Sequence, residues 1–227
     1  MIRSVTRTLY QHPLSALSRK VRLVLHEKRL AFAESVVDPW TRDARLIALN
    51  PSGEVPVLVE DDGSVVPEAA TICEYLEEAH PEVGLLGKTP MERVEARRLA
   101  AWFDHKFMRE VGDYLVGEKL LKRVNGRAAP DSRLLRAGRE NIHTHMQYIA
   151  WLTERRKWLA GDHLTIADLS AAAQLSLVDY LGDVPWEEHP LAKEWYVRLK
   201  SRPSFRCLLR ESVPGVPAAP AYADLDF

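Results

Sequence analysis

A proline stands inside an apolar run of this chain, and few folds accept that. The stretch Asn50-Pro51-Ser52-Gly53-Glu54-Val55-Pro56-Val57-Leu58-Val59 passes from turn residues straight into strand formers. Asn-Pro and Ser-Gly are turn dipeptides, whereas Val55, Val57, Leu58 and Val59 suit a pleated, half-buried surface. Pro56 has no N–H to give a strand ladder, so it belongs either on a sheet edge or in a tight turn as a cis peptide. The cis form of an X-Pro bond costs only about 0.5–1 kcal/mol, which a packed fold can hold. A plain turn followed by a strand is the simpler alternative.

The residues around this stretch alternate strand and helix signals. Residues 6–11 read as a first strand and 12–15 as a loop. Residues 15–28 read as a helix with Leu17, Val21, Val24 and Leu25 on one face and Arg19, Lys20 and Arg22 mainly off it. Residues 33–37 are a second strand, and 42–49 a short helix after Asp38-Pro39-Trp40-Thr41. Asp61-Asp62-Gly63 is a hairpin turn into a fourth strand at 64–66. Pro67-Glu68 leads into a helix carrying Ile72, Tyr75, Leu76 and Ala79, and Pro81 ends it. This β-α-β-α-β-β-α order predicts a thioredoxin-like α/β domain over 1–83, without the Cys-x-x-Cys of thioredoxin itself.

After a linker at 84–90 the strand signals stop. Leu99, Phe103, Phe107, Val111 and Leu115 recur every four residues as one helical stripe. Residues 133–158 predict a long helix, Ile166, Leu169, Ala173 and Leu177 another, Leu191, Trp195 and Leu199 a fourth, and 204–210 a short fifth. An all-α domain over 91–212 follows. Thr165 and Asp168 have the spacing of a capping box, in which side chain and backbone satisfy each other at a helix start. That assigns Asp168 to structure, not to acid catalysis. Residues 213–220 hold three prolines and a glycine, which predicts an extended, polyproline-like spacer. Eight residues at about 3.1 Å each carry the end of the chain ~25 Å along the surface. The tail 213–227 ends Tyr222-Ala-Asp-Leu-Asp-Phe227, and reads either as a loose terminus or as a binding peptide. In the second case Tyr222, Leu225 and Phe227 are anchors, and Asp224 and Asp226 meet a basic rim.

The segment Asn-Pro-x-Gly-x-Val-Pro-Val-Leu and the segment Gly161-Asp-His-Leu-Thr-Ile-Ala-Asp168 resemble the glutathione transferase superfamily, over about residues 6–210. The resemblance implies a cis Pro56 and a Val55 backbone that pairs with the cysteinyl part of glutathione. It implies that Ser15, or failing that Ser18, donates to the glutathione sulfur and favours the thiolate. Ser15 is equally well placed as a helix N-cap. The family opens the helix after strand four with Glu-Ser; this chain has Glu68-Ala69. The lost hydroxyl removes a hydrogen bond to a charged group worth ~1.5–3 kcal/mol, so glutathione should bind roughly ten- to a hundredfold more weakly. The opening Leu9-Tyr-Gln-His-Pro-Leu-Ser-Ala-Leu-Ser-Arg-Lys-Val-Arg22 and the closing Tyr222-Ala-Asp-Leu-Asp-Phe227 are similar to a transferase-like branch that binds FtsZ filaments in bacterial division. For this chain that branch implies FtsZ polymers as partner, a homodimer, and a scaffold with a degenerate pocket; the rival is a working transferase using Ser15. Trp40, beside the pocket, is a candidate partner contact.

Composition narrows the classes further. Lys plus Arg is 31 against 32 Asp plus Glu, which argues against broad binding to nucleic acid or anionic membrane. No run of 18 apolar residues is present and residues 1–8 show no signal peptide, so no membrane insertion and a cytoplasmic site are expected; the resemblance to the FtsZ-binding branch implies the division site within it. Cys73 and Cys207 suit a reducing compartment as small hydrophobes. No metal is expected: His143 and His145 are two apart and point to different faces of a helix. His12 is able to line the pocket, and Arg155-Arg156-Lys157 reads as a solvated basic run.

Overall fold

The computed structural model describes residues 7–126 and 129–225. The chain divides into two compact units, Met1–Gly84 and Leu85–Phe227. The first holds β1 (Arg7–Gln11), α1 (Ala16–Glu27), β2 (Phe32–Val36), a 3-10 turn (Pro39–Thr41), α2 (Ala44–Leu49), β3 (Val57–Val59), β4 (Val65–Pro67) and α3 (Ala69–Ala79). The sheet order is β2-β1-β3-β4. β1 runs parallel to β2, with Arg7 opposite Phe32 and Gln11 opposite Val36. β3 runs antiparallel to β1 and to β4, placing Leu9 beside Leu58 and Val57 beside Pro67. Pro67 therefore sits on an edge strand, where its missing N–H costs no interior ladder bond. Leu9, Val57 and Leu58 are fully buried and form the centre of the sheet.

Helix α1 departs from a simple amphipathic reading. Arg19, Lys20 and Arg22 are buried along with Val21, Leu23, Val24 and Leu25. The basic residues do lie off the apolar face, but partners cover them: Arg19 Nε donates to the Pro13 carbonyl at 2.8 Å, and Arg22 Nε lies 3.1 Å from Glu34 Oε2. Lys28, just beyond α1, is buried as well. Its ammonium donates to Glu77 Oε2 and to the carbonyls of His80 and Val83, a cationic seal on the C-terminal end of α3.

The second unit is helical. α4 (Pro90–Ala101) runs on into a π-wound stretch (Trp102–Leu121) and a last turn, α5 (Lys122–Val124). The wider winding shows at its end, where the Lys122 N–H reaches back five residues to the Gly117 carbonyl. The four-residue stripe Leu99, Phe103, Phe107, Val111 and Leu115 is fully buried along this rod. α6 (Ser132–Thr153) packs on it, and Gly138 lets the two come close: a Cβ there would meet Leu115 and Tyr114 carbons at 2.9 Å. α7 (Ile166–Tyr180) is buried at every position, as expected of a helix at the centre of a bundle. α8 (Pro190–Lys200), a 3-10 turn (Pro203–Phe205) and α9 (Arg206–Leu209) follow.

Two helix expectations need correction. α6 stops at Thr153, not at 158. Beyond it Trp158 and Gly161 exchange backbone hydrogen bonds, and the Leu159 N–H is held by Asp168 Oδ1, so residues 158–161 are turned toward the start of α7. On α8, Trp195 and Leu199 are buried but Leu191 is 42% exposed, because the first turn packs through its neighbour Ala192, which is fully buried.

Candidate functional site

The loop after β1 ends at Ser15, whose side chain accepts the Ser18 N–H at 3.2 Å and so caps α1. Capping uses a lone pair and leaves the hydroxyl proton free to donate. Ser15 is half-buried, so both roles considered for it, cap and donor, are compatible. Ser18, the fallback, is fully buried, and its hydroxyl receives the His12 N–H at 3.4 Å. His12 accepts the Leu14 N–H on Nδ1, and its ring stands edge-on to Trp40 with centroids 4.8 Å apart. Trp40 is held in its turn by Asp38, which accepts the Trp40 N–H at 2.8 Å. The structure thus brings Trp40 and His12 to the loop that ends in Ser15.

The Val55–Pro56 peptide is cis. The Val55 side chain is buried in a cluster with Val37, Leu46 and Val57. Its backbone N–H and C=O have no backbone partner among the described residues. Apolar anchoring on one side and free main-chain groups on the other suit an extended peptide laid alongside. Asn50, which the sequence reading treated only as turn punctuation, ties this corner together. It is buried, its Nδ2 donates to the Glu54 carbonyl at 3.0 Å and to Glu68 Oε1 at 3.4 Å, and its Oδ1 accepts the Ser52 N–H. The Asn-Pro-Ser-Gly turn signal marked its position but not its reach to Glu68.

Glu68 precedes α3 with φ +70° and ψ +130°, a region non-glycine residues rarely enter. It makes no side-chain cap, and its carboxylate is exposed. The first turn of α3 therefore starts uncapped, with N–H groups turned outward to meet an anion. Ala69, the next residue, is buried and brings no hydroxyl. Together these residues offer an anion seat at α3, a main-chain strip at Val55 and a hydroxyl donor at Ser15.

In the helical unit Thr165 and Asp168 form the expected capping box. Asp168 is fully buried. Its Oδ1 accepts from the Leu159 N–H (2.9 Å) and Trp195 Nε1 (3.0 Å), its Oδ2 from the Thr165 N–H (3.0 Å) and hydroxyl (3.2 Å). Burial pushes its carboxyl above the usual range, against the pull of those donors. A second box, Thr89 with Glu92, opens α4, and its Thr-x-x-Glu spacing is the sequence signal for it. His143 and His145 do face apart. His143 meets His189 at 3.0 Å. His145 is buried and accepts the Trp102 indole proton on Nδ1, so its own proton is on Nε2, toward Glu110 Oε2 at 3.1 Å. Among the described residues no group of three metal-ligating side chains occurs. The basic run is not uniformly solvated: Arg156 donates to Glu95 at 2.7 Å.

The tail differs most from its expectation. Residues 213–220 are not a free spacer but fold back on the helical unit. Val213 and Val216 are buried, and Tyr222 is 1% exposed, its hydroxyl donating to the Leu208 carbonyl at 3.0 Å. Tyr222 is thus an internal anchor instead of an outward contact, because its ring finds apolar cover against Tyr180 within its own unit. Asp224 and Leu225 are exposed; Asp226 and Phe227 lie outside the described residues.

Family models for the glutathione S-transferase N-terminal domain and C-terminal domain match residues 14–79 and 134–203. FtsZ-localized protein A of Caulobacter vibrioides is 49% identical over 99% of this chain and 100% of its own length. The solved structure of FzlA from C. crescentus superposes with a TM-score of 0.96 over 98% of this chain and 100% of that one, also at 49% identity. The crystal structure of a glutathione S-transferase from Rhodospirillum rubrum F11 is 58% identical, with a TM-score of 0.96 over 98% and 100% of the two chains. No helix among the described residues is long and apolar enough to cross a membrane.

Proposed function

The chain belongs to the glutathione S-transferase family, and we propose that it is a member that binds FtsZ filaments in bacterial cell division and keeps only a weak glutathione site. The observation that carries this reading is the end-to-end similarity to FtsZ-localized protein A. The Glu68-Ala69 pair supports the second half: an uncapped helix start still attracts a carboxylate, but the hydroxyl that would grip it is missing. Trp40 is the partner contact in the first unit, a half-exposed aromatic of the kind that dominates interfaces. Asp224, Leu225, Asp226 and Phe227 serve at the chain end, with Tyr222 anchoring the turn that carries Asp224 and Leu225.

Homodimer formation belongs to the same proposal. Met91 and Val94 on α4 are 72% and 52% exposed, and Trp151 on α6 is 50% exposed. Arg98 and Tyr148 link the two helices on that face, since Arg98 Nη1 donates to the Tyr148 hydroxyl at 2.9 Å and Tyr148 stacks on Trp151. Light scattering should give twice the chain mass, and Trp151→Glu should lower it.

The deciding test is co-sedimentation with GTP-assembled FtsZ, with glutathione calorimetry alongside. The chain should pellet with polymers, deletion of residues 223–227 should reduce the pelleted fraction, and glutathione should bind more weakly than low-micromolar. A chain that stays in the supernatant sinks the FtsZ reading. The competing reading, an active transferase, is favoured by the free Ser15 proton and by the Rhodospirillum rubrum structure. It requires thiol conjugation that disappears in Ser15→Ala.

A further inference from the structure

We propose that Lys200 is a positioning residue: it clamps the last turn of the C-terminal strap and thereby sets where Asp224 and Leu225 are presented. The inference rests on the FtsZ reading for the use of that end, and on geometry for the clamp.

The strap is gripped in two places by different residues. Tyr180 holds its first half. Its hydroxyl accepts the Val213 N–H at 2.9 Å and donates to the Val216 carbonyl at 2.7 Å, while its own carbonyl accepts the Ala219 N–H at 2.8 Å. The turn between Val213 and Val216 is made by Gly215, at φ +76°. None of these bonds involves Lys200.

Lys200 holds the second half. Its side chain is fully buried at the end of α8, and its ammonium donates to the Ala221 carbonyl at 3.2 Å. The same carbonyl accepts the Asp224 N–H at 3.1 Å, so the cation stands at the foot of the turn that carries Asp224 and Leu225. Asp179 Oδ2 lies 3.5 Å from the ammonium, and the rings of Tyr196 and Tyr222 flank it at 5.9 Å each. An ammonium is expensive to bury and stays charged only when paired. Here its partners come from α7, α8 and the strap, so one cation ties three segments together. A chain end held this way meets its partner without the entropy of ordering a loose tail.

The test uses the full chain and the double variant Asp179→Asn with Lys200→Met. Removing both charges avoids a lone buried carboxylate, and an asparagine oxygen can still accept from Trp186 Nε1, which now donates to Asp179 at 2.9 Å. Hydrogen exchange read by mass spectrometry should accelerate about tenfold in residues 220–225 and stay unchanged in 213–219 and in α7. The fraction pelleted with GTP-assembled FtsZ should fall severalfold. Should the double variant not fold, Asp179→Asn with Lys200→Gln, which keeps polar groups in the seat but removes the cation from the Ala221 carbonyl, should give a smaller change of the same pattern. Unchanged exchange in 220–225 overturns the clamp. Faster exchange with undiminished pelleting overturns the positioning role. Wild-type protein that fails to pellet removes the FtsZ reading and the presentation role with it, while the exchange data alone decide the clamp.

Discussion

Helices α3 and α7 each start beside an acidic residue, and the two acids do opposite things. Asp168 stands inside the first turn of α7, fully buried, with four donors on its two oxygens. Glu68 stands just before α3, exposed, with strained backbone and hydrogen bonds only at the long limit of 3.4 and 3.5 Å, to Asn50 and Ser52. At the start of α7 both carboxylate oxygens are occupied from within, so Asp168 has nothing left to offer a ligand. At α3 the backbone is distorted and the helix end is open. Strain of this kind persists where the surroundings over-determine it, and such places are where ligands bind. An acid's neighbours, not its charge, separate a structural role from a binding one.

The largest expected effect is on the Asp168 side. Asp168→Ala orphans three buried N–H donors and one hydroxyl and should cost about 3–4 kcal/mol, read from denaturant unfolding. Thr165→Ala removes the reciprocal half of the box and should cost about 1 kcal/mol. An Asp168→Ala protein of wild-type stability that had lost only partner or ligand binding would reverse the assignment. On the Glu68 side the next effect is a gain: Ala69→Ser should tighten glutathione binding roughly ten- to a hundredfold by calorimetry. No tightening would mean that Ser15 or the Val55 strip no longer forms its part of the pocket.

Glu68→Gly sharpens the contrast at the backbone. Glycine accepts φ +70° without strain, and after allowing for its more flexible unfolded chain the variant should gain about 1 kcal/mol while glutathione binding falls. A drop in melting temperature would show that the carboxylate bonds to Asn50 and Ser52 outweigh the strain. The smallest effect concerns a third acid, Glu95 on α4, satisfied by arginines instead of backbone. Hydrogen bonds from Arg98, then Arg156, hold its carboxyl down at about 2. A folded value below the ordinary carboxylate value contributes stability above that ordinary value and loses it as pH falls toward 2. Melting temperature should therefore decline between pH 5 and pH 2.5, slightly less steeply in Glu95→Gln, by a few tenths of a kcal/mol for so exposed a group. Equal slopes would remove Glu95 from the acid response.

The contrast also separates what short-range reading reaches from what it misses. The capping box was legible because its partners are three residues apart, and helix geometry alone brings them together. Proline chemistry, which is local, narrowed Pro56 to a sheet edge or a cis turn, and the resemblance to the transferase family supplied the cis choice. Asn50 reaching Glu68 spans 18 positions, and Arg156 reaching Glu95 spans 61; no periodicity signals either. In the sequence Ser18 stands as the fallback to Ser15, and burial separates them further: Ser18 is fully buried.

The sequence by itself determined the order of elements, the change from mixed to all-helical structure and the cap of α7. Each depends on backbone preferences and side-chain spacing within a few residues; the missing hydroxyl at Ala69 shows only against the family's Glu-Ser. The tertiary structure decided the rest, and the tail is the clearest instance. Its prolines rule out a helix but do not say what they lie against. That Tyr222 is an anchor and Lys200 a clamp follows from where α7, α8 and α9 leave an apolar seat and set the Asp179 carboxylate beside the lysine, which is a property of packing across more than 40 residues of chain.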